Sequence, residues 1–120
     1  MSYFSRKSLV SLKDWSANEV LEIVDLAIKI KATPRRFTES LDGKTVALLF
    51  QKTSTRTRCA GEIAIAQMGG YSVYLDWRTT NFALADLRDE IRSLSSYTDL
   101  ILARLLSYED VIVAEKKSTA

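Results

Sequence analysis

Histidine is absent from this 120-residue chain, and cysteine and proline occur once each. The missing histidine removes the commonest general base and the commonest metal ligand, which excludes a Ser-His-Asp triad and zinc chemistry. A single cysteine, Cys59, rules out an intrachain disulfide and fits a reducing compartment; its expected state is that of a small buried hydrophobe. Charge of one sign is lacking too. The 17 Lys and Arg stand against 15 Asp and Glu, for a net charge of +2, and the signs are interspersed. That balance speaks against a nucleic-acid partner or a membrane surface, and no aromatics alternate with the basic residues as a nucleic-acid binder would need. No apolar run reaches the ~20 residues that cross a bilayer. Arg6 and Lys7 lie near the start, but no apolar stretch follows them, so no secretory signal is read there. A cytoplasmic location is the expectation.

What is present is the balance of an ordinary globular domain, 47% hydrophobic and 27% charged, in a chain long enough for one core. Ser16 with Glu19 three residues on forms a capping box. Val20, Ile23, Val24, Ala27 and Ile30 then predict a helix over residues 16–31, which Pro34 stops. Residues 44–50, Lys-Thr-Val-Ala-Leu-Leu-Phe, read as a strand buried on both faces. A polar turn over residues 51–55 leads to a helix over 56–68, with Ala60, Ile63, Ala64 and Met68 expected inward and Gly69-Gly70 closing it. Residues 71–75 predict a second strand and 76–82 a loop. Leu84, Leu87, Ile91 and Leu94 form the core stripe of a helix over 83–96. Residues 100–103 read as a third buried strand. A last helix is expected over 107–117, with Tyr108, Val111 and Ile112 inward. Strands alternating with helices predict an α/β fold, three layers (α/β/α) around a short parallel sheet. Three strands are few for an independent sheet, which suggests that the chain is part of something larger.

The chemistry is concentrated in Ser54-Thr55-Arg56-Thr57-Arg58, between a buried strand and a helix. The first backbone N–H groups of a helix have no helical acceptor, and the helix dipole adds partial positive charge. Together they hold a phosphate well. Ser54, Thr55 and Thr57 add hydroxyls, and Arg56 adds a guanidinium that grips two oxygens at once. The competing reading of these residues is a solvated, well-capped helix start whose arginines pair with nearby acids. No Walker loop is present. Arg35-Arg36 reads as a solvated pair. Trp77 and Arg78 are either substrate or subunit contacts or a locally packed loop.

Phe50-Gln51-Lys52-Thr53-Ser54-Thr55-Arg56-Thr57-Arg58 resembles the Phe-x-x-x-Ser-Thr-Arg-Thr-Arg signature of the aspartate and ornithine carbamoyltransferases. Residues 8–16 are similar to the opening segment of that family. Thr98-Asp99-Leu100-Ile101-Leu102-Ala103-Arg104 is similar to its third strand, which ends in arginine. Lys52 resembles the ornithine branch, since the aspartate branch usually has Glu-Pro before the motif. The resemblance implies a carbamoyl-phosphate-binding domain over residues 1–120, half of a two-domain carbamoyltransferase, with the acceptor-binding domain absent. It implies that Ser54, Thr55, Arg56, Thr57 and Arg104 bind carbamoyl phosphate. Thr57 and Arg104 would polarise the carbamoyl carbonyl and act as catalytic residues. Arg58 would be structural, paired with an acid. The amine attacked would belong to ornithine, giving citrulline and phosphate, in a homotrimer without cofactor or metal. A C-terminal helix of the intact family packs back on this domain, so an exposed apolar patch is expected here.

Three departures stand against that pattern. The family's His-Pro-x-Gln element has no counterpart, and neither does its second domain. The family's loop after the second strand carries a Gly-x-Lys-Glu-Ser-like run, whereas residues 79–86 are Thr-Thr-Asn-Phe-Ala-Leu-Ala-Asp. Ala60-Gly61 also stands where the family usually has Ser-Phe, just before the matching Glu62. Two alternatives therefore stay open: a carbamoyltransferase for another acceptor such as aspartate, and a non-catalytic phosphate-binding or assembly module.

Overall fold

The structure is a computed structural model that describes residues 8–120. Ser16 caps α1 (Ala17–Ala32): its side chain accepts the Glu19 N–H while the Glu19 carboxylate accepts the Ser16 N–H. Pro34 follows Thr33, the residue that ends the helix, and opens a single 3-10 turn. β1 (Thr45–Phe50), α2 (Thr55–Gln67), β2 (Tyr71–Asp76), α3 (Leu87–Tyr97), β3 (Leu100–Arg104) and α4 (Tyr108–Lys117) then alternate. The strands form one parallel sheet in the order β2-β1-β3. Phe50 lies level with Asp76 on one side and Arg104 on the other.

The middle strand carries two cores, one on each face of the sheet. Val46, Leu48 and Phe50 pack against Ile65 of α2, joined by Leu41 and Tyr74. Leu49 points the other way, into a cluster with Phe82 and Ile91 to which Ile101, Leu105 and Ala114 are added. Side chains alternate faces along a strand, so Val46 to Phe50 are all buried because β1 is covered on both sides. This is the expected three-layer α/β architecture. Each cluster holds a fully buried leucine, Leu48 or Leu49, whose truncation to alanine costs about 2–5 kcal/mol.

Several expectations about packing are corrected. Helix α2 turns Ile65 inward, while Ala60, Ile63 and Ala64 are exposed. Its inner face also carries Gly61, where a Cβ would stand 3.1 Å from Leu48 Cδ2 and 3.3 Å from Leu102 Cδ2. The apolar pattern misled because a glycine occupies an inward position. Helix α3 starts at Leu87, not 83, because the Asp86 side chain accepts the Arg88 N–H and caps it there. Leu84 consequently leaves the core stripe and is 87% exposed, while Phe82 takes the buried place. Tyr108 is exposed at the start of α4, although Val111 and Ile112 are half-buried. Cys59 is exposed.

Strand β3 is an edge strand rather than a doubly buried one. Leu100 and Leu102 are exposed on the α2 face. Helix α1 has no buried residue, and Leu21, Val24 and Ile28 show an apolar stripe to the outside; of its expected inward positions, Val20, Ile23 and Ile30 are half-buried, and Val24 and Ala27 are exposed. The expected apolar surface is thus present on both elements.

Gly69 takes φ 86° at the end of α2, and a Cβ there would stand 2.7 Å from the Thr38 carbonyl oxygen. Only glycine fits that close turn without moving the backbone.

Candidate functional site at the carboxyl edge of the sheet

Strand β1 has β2 on one side and β3 on the other, so the chain reverses its direction of travel across the sheet between β1 and β3. Ligands in open α/β sheets bind at such a reversal, beyond the carboxyl ends of the strands. Ser54 to Arg58 follow β1 and Arg104 ends β3, so the structure brings the two predicted halves of the site to that one point.

The corner is set by Ser54. Its extended backbone (φ −156°, ψ 122°) precedes α2, and its hydroxyl oxygen accepts the Thr57 N–H at 3.2 Å. The Ser54 hydroxyl hydrogen therefore remains available to donate. The N–H groups of Thr55 and Arg56 lie in the first turn, where no helical carbonyl precedes them. Thr55, Arg56 and Thr57 are exposed and Ser54 is half-buried. The corner thus offers backbone N–H groups, hydroxyls and one guanidinium to solvent at the positive end of a 13-residue helix.

Arg104 arrives on the same face. Parallel neighbours in register point their side chains alike, and Arg104 is the partner of Phe50, which packs toward α2. Arg104 therefore leaves the sheet on the α2 side, in a row that runs Asp76, Phe50, Arg104 across the three strands. Neighbouring strands lie ~4.8 Å apart, which puts the base of Arg104 one strand from the start of the corner.

The arginines at and near this edge divide into two groups. Arg58 donates from Nε to Glu62 at 3.2 Å, and its guanidinium carbon sits 3.5 Å from the centre of the Tyr74 ring. This is the structural pairing with an acid that the sequence suggested, with a cation–π contact added. Arg78 holds Asp76 with two side-chain bonds, at 3.1 and 2.8 Å. Among the described residues Arg56 and Arg104 form no ion pair, and both are exposed. Arg35 and Arg36 are exposed without ion pairs as well, but they lie in a turn after α1, away from the strand ends. Position at the switch point is what separates Arg56 and Arg104 from them.

In the loop after β2, Trp77 and Arg78 both have local partners, as the locally packed reading expects. Its two 3-10 turns, Trp77–Thr79 and Asn81–Ala83, are capped by the Asp76 and Thr80 side chains. Trp77 lies against Phe82, ring centres 5.2 Å apart, and Phe82 enters the core beside Leu49 and Ile91. The Arg78 guanidinium beside Asp76 holds that carboxyl below its ordinary range by hydrogen bonding, and Arg88 does the same to Asp86. No sequence pattern had assigned Gln51 a part at this edge. Its side-chain Oε1 accepts the Leu106 N–H at 2.6 Å, across the switch point.

The comparisons with known proteins agree with this geometry. Residues 7–120 match the family model described as the aspartate/ornithine carbamoyltransferase, carbamoyl-P binding domain. The anabolic ornithine carbamoyltransferase of Pyrococcus furiosus is 36% identical over an alignment of 119 residues that covers 94% of this chain and 37% of that protein. The ornithine carbamoyltransferase of Listeria innocua is 32% identical over 106 residues, 88% of this chain and 34% of that protein. This chain therefore spans about a third of the length of the curated relatives it matches. Among solved structures, the Pyrococcus furiosus enzyme superposes with a TM-score of 0.91 at 33% identity, covering 100% of this chain and 39% of that one. The catalytic subunit of M. jannaschii aspartate transcarbamoylase superposes with a TM-score of 0.84, also at 33% identity, covering 95% of this chain and 39% of that one. With the strand order, the capped corner and the family match in agreement, the chain belongs to the aspartate/ornithine carbamoyltransferase family and corresponds to its carbamoyl-phosphate-binding domain.

Proposed function

We propose that Ser54, Thr55, Arg56 and Thr57 bind the phosphate of carbamoyl phosphate, and that Arg104 meets the same ligand from the β3 side. The observation that carries this reading is the pair of arginines without ion pairs, Arg56 and Arg104, standing on either side of the switch point at an open helix N-terminus. Nearby Arg58 and Arg78 have acids to hold, so the two left over are the ones placed to meet an anion.

In the intact enzyme the acceptor amine would attack the carbamoyl carbon, its lone pair forming the new C–N bond. The carbonyl oxygen would become an oxyanion, which Thr57 and Arg104 stabilise as fixed donors. The C–O bond to phosphate then breaks, the amine loses its proton, and Ser54 to Thr57 receive the leaving phosphate. The acceptor would be bound by a second domain, with residues 1–120 forming the carbamoyl-phosphate domain of a homotrimer. Lys52 and the ornithine carbamoyltransferase relatives favour ornithine, with citrulline as product. Aspartate is the second reading, favoured by the likeness to an aspartate transcarbamoylase subunit at the same 33% identity.

Calorimetric titration of the chain with carbamoyl phosphate, beside an Arg56→Ala control, tests the site. Binding by the natural chain that the control loses supports the reading. A folded natural chain that shows no heat of binding moves a non-catalytic assembly role to first place.

A further inference from the structure

Past the paired strands β1 and β3, Gln51 joins the segments that carry the two halves of the proposed site. Gln51 is the first residue past β1. Its backbone N–H donates to the Arg104 carbonyl at 2.9 Å, continuing the β1–β3 ladder by one rung. Its side-chain oxygen accepts the Leu106 N–H at 2.6 Å. Beyond Arg104 the strand has ended, and α4 starts only at Tyr108. In that connection Leu105 is anchored in the core on the opposite face of the sheet, whereas Leu106 is 73% exposed and has no packing to place it. The Gln51 side chain is what ties the connection back toward the corner.

We propose that Gln51 is a positioning residue that sets where Arg104 stands relative to the N-terminus of α2. The inference rests on the carbamoyl-phosphate reading above and adds a residue that touches no ligand. The physical reason is that among the described residues Arg104 has no carboxylate to orient it, so its guanidinium depends on where its own backbone stands. Gln51 pins the chain just past the Arg104 Cα twice: at the Arg104 carbonyl, and two residues later at the Leu106 N–H. Without the second bond the peptide planes between Arg104 and Ser107 gain freedom, and the donor spreads over more positions than the ligand can use.

The test compares Gln51→Met, which keeps the bulk and loses the acceptor, with Gln51→Glu, which keeps an acceptor oxygen. In the unliganded 120-residue chain, exchange of the Leu106 amide should speed up in Gln51→Met and return toward the natural rate in Gln51→Glu. Carbamoyl phosphate affinity is then measured calorimetrically in the natural chain, Gln51→Met, Arg104→Ala and the double variant. Gln51→Met should weaken binding by about threefold to tenfold, the loss expected for one hydrogen bond. It should add nothing once Arg104 is gone, since the two residues act as one unit. An equal loss on both backgrounds, or no loss, overturns the proposal. So does unchanged Leu106 exchange. If the natural chain binds no carbamoyl phosphate, the ligand reading falls by itself. The clamp is then judged by Leu106 exchange and by the Arg104 Nε chemical shift, and a shift unmoved in Gln51→Met overturns it.

Discussion

Residues 51–58 and residues 77–86 leave the same edge of the sheet, each from the end of a strand, and each begins with side-chain-capped turns. They close in opposite ways. The second segment satisfies itself: Arg78 is held by Asp76, Arg88 by Asp86, and the Trp77–Phe82 pair is drawn onto the core. The first leaves its central guanidinium, Arg56, without a carboxylate and its helix-start N–H groups facing solvent. A basic residue at a strand end is therefore not in itself a binding group. What counts is whether the local chain has already supplied its anion, and of these two segments the one after β1 leaves Arg56 without one among the described residues.

The largest expected effect bears on the self-satisfied loop. Phe82→Ala should destabilise the fold by about 3–5 kcal/mol in denaturant titration, because it empties a buried aromatic site beside Leu49 and Ile91. A loss below 1 kcal/mol would mean that the loop is not anchored through the core. Next comes the arginine contrast. Arg56→Ala should cost about 1.5–3 kcal/mol of carbamoyl phosphate affinity, the range for hydrogen bonds to charged groups, while Arg78→Ala leaves affinity nearly unchanged. Equal losses would erase the distinction between the two segments. Ser54→Ala should lower thermal stability by about 0.5–2 kcal/mol, the usual worth of an N-cap, since the Thr57 N–H loses its acceptor. The same variant should weaken ligand binding, an effect that Asp86→Ala, the cap of α3, should not share.

The smallest effect concerns acid. Asp76 and Asp86 are held below the ordinary aspartate range, first by side-chain hydrogen bonds from Arg78 and Arg88. Their contribution to stability is fully present above the unfolded aspartate value, about 3.9, and is lost as pH falls through the lower folded values. Both pairs are exposed and screened, so the contribution is small. An Asp76→Asn, Asp86→Asn double variant should flatten the acid limb of the stability curve slightly, and an unchanged limb would show that the pairs are inert.

Much of the site was legible in the chain because its chemistry is local. The Ser16–Glu19 box and Pro34 after α1 act within three or four residues of themselves, so spacing alone located the start and the end of that helix, whereas α2, expected from Arg56, begins at Thr55 behind its Ser54 cap. The apolar run of β1 was equally plain, since burial on both faces leaves no polar alternation to find. The motif 54–58 and Arg104 were recognisable as residues, and Arg58 as the one paired with an acid. The failures came where an inward position was not occupied by an apolar residue, or an apolar one was not inward. Gly61 lies against Leu48 and Leu102, so the buried face of α2 was invisible to a hydrophobic count. Leu84 reads as core by spacing, but Asp86 starts the helix after it.

By itself the sequence determined the class of fold, the order of its elements and the residue types suited to an anion, because hydrophobic period, caps and turn residues work over short stretches of chain. Only the tertiary structure decided that Arg104 emerges on the α2 face beside Phe50, and that Arg78 is consumed by Asp76. It alone showed that Gln51 bridges to Leu106, 55 residues away. Those contacts depend on strand order and on the pairing of segments far apart in the chain, and a one-residue change of register would turn every side chain to the other face.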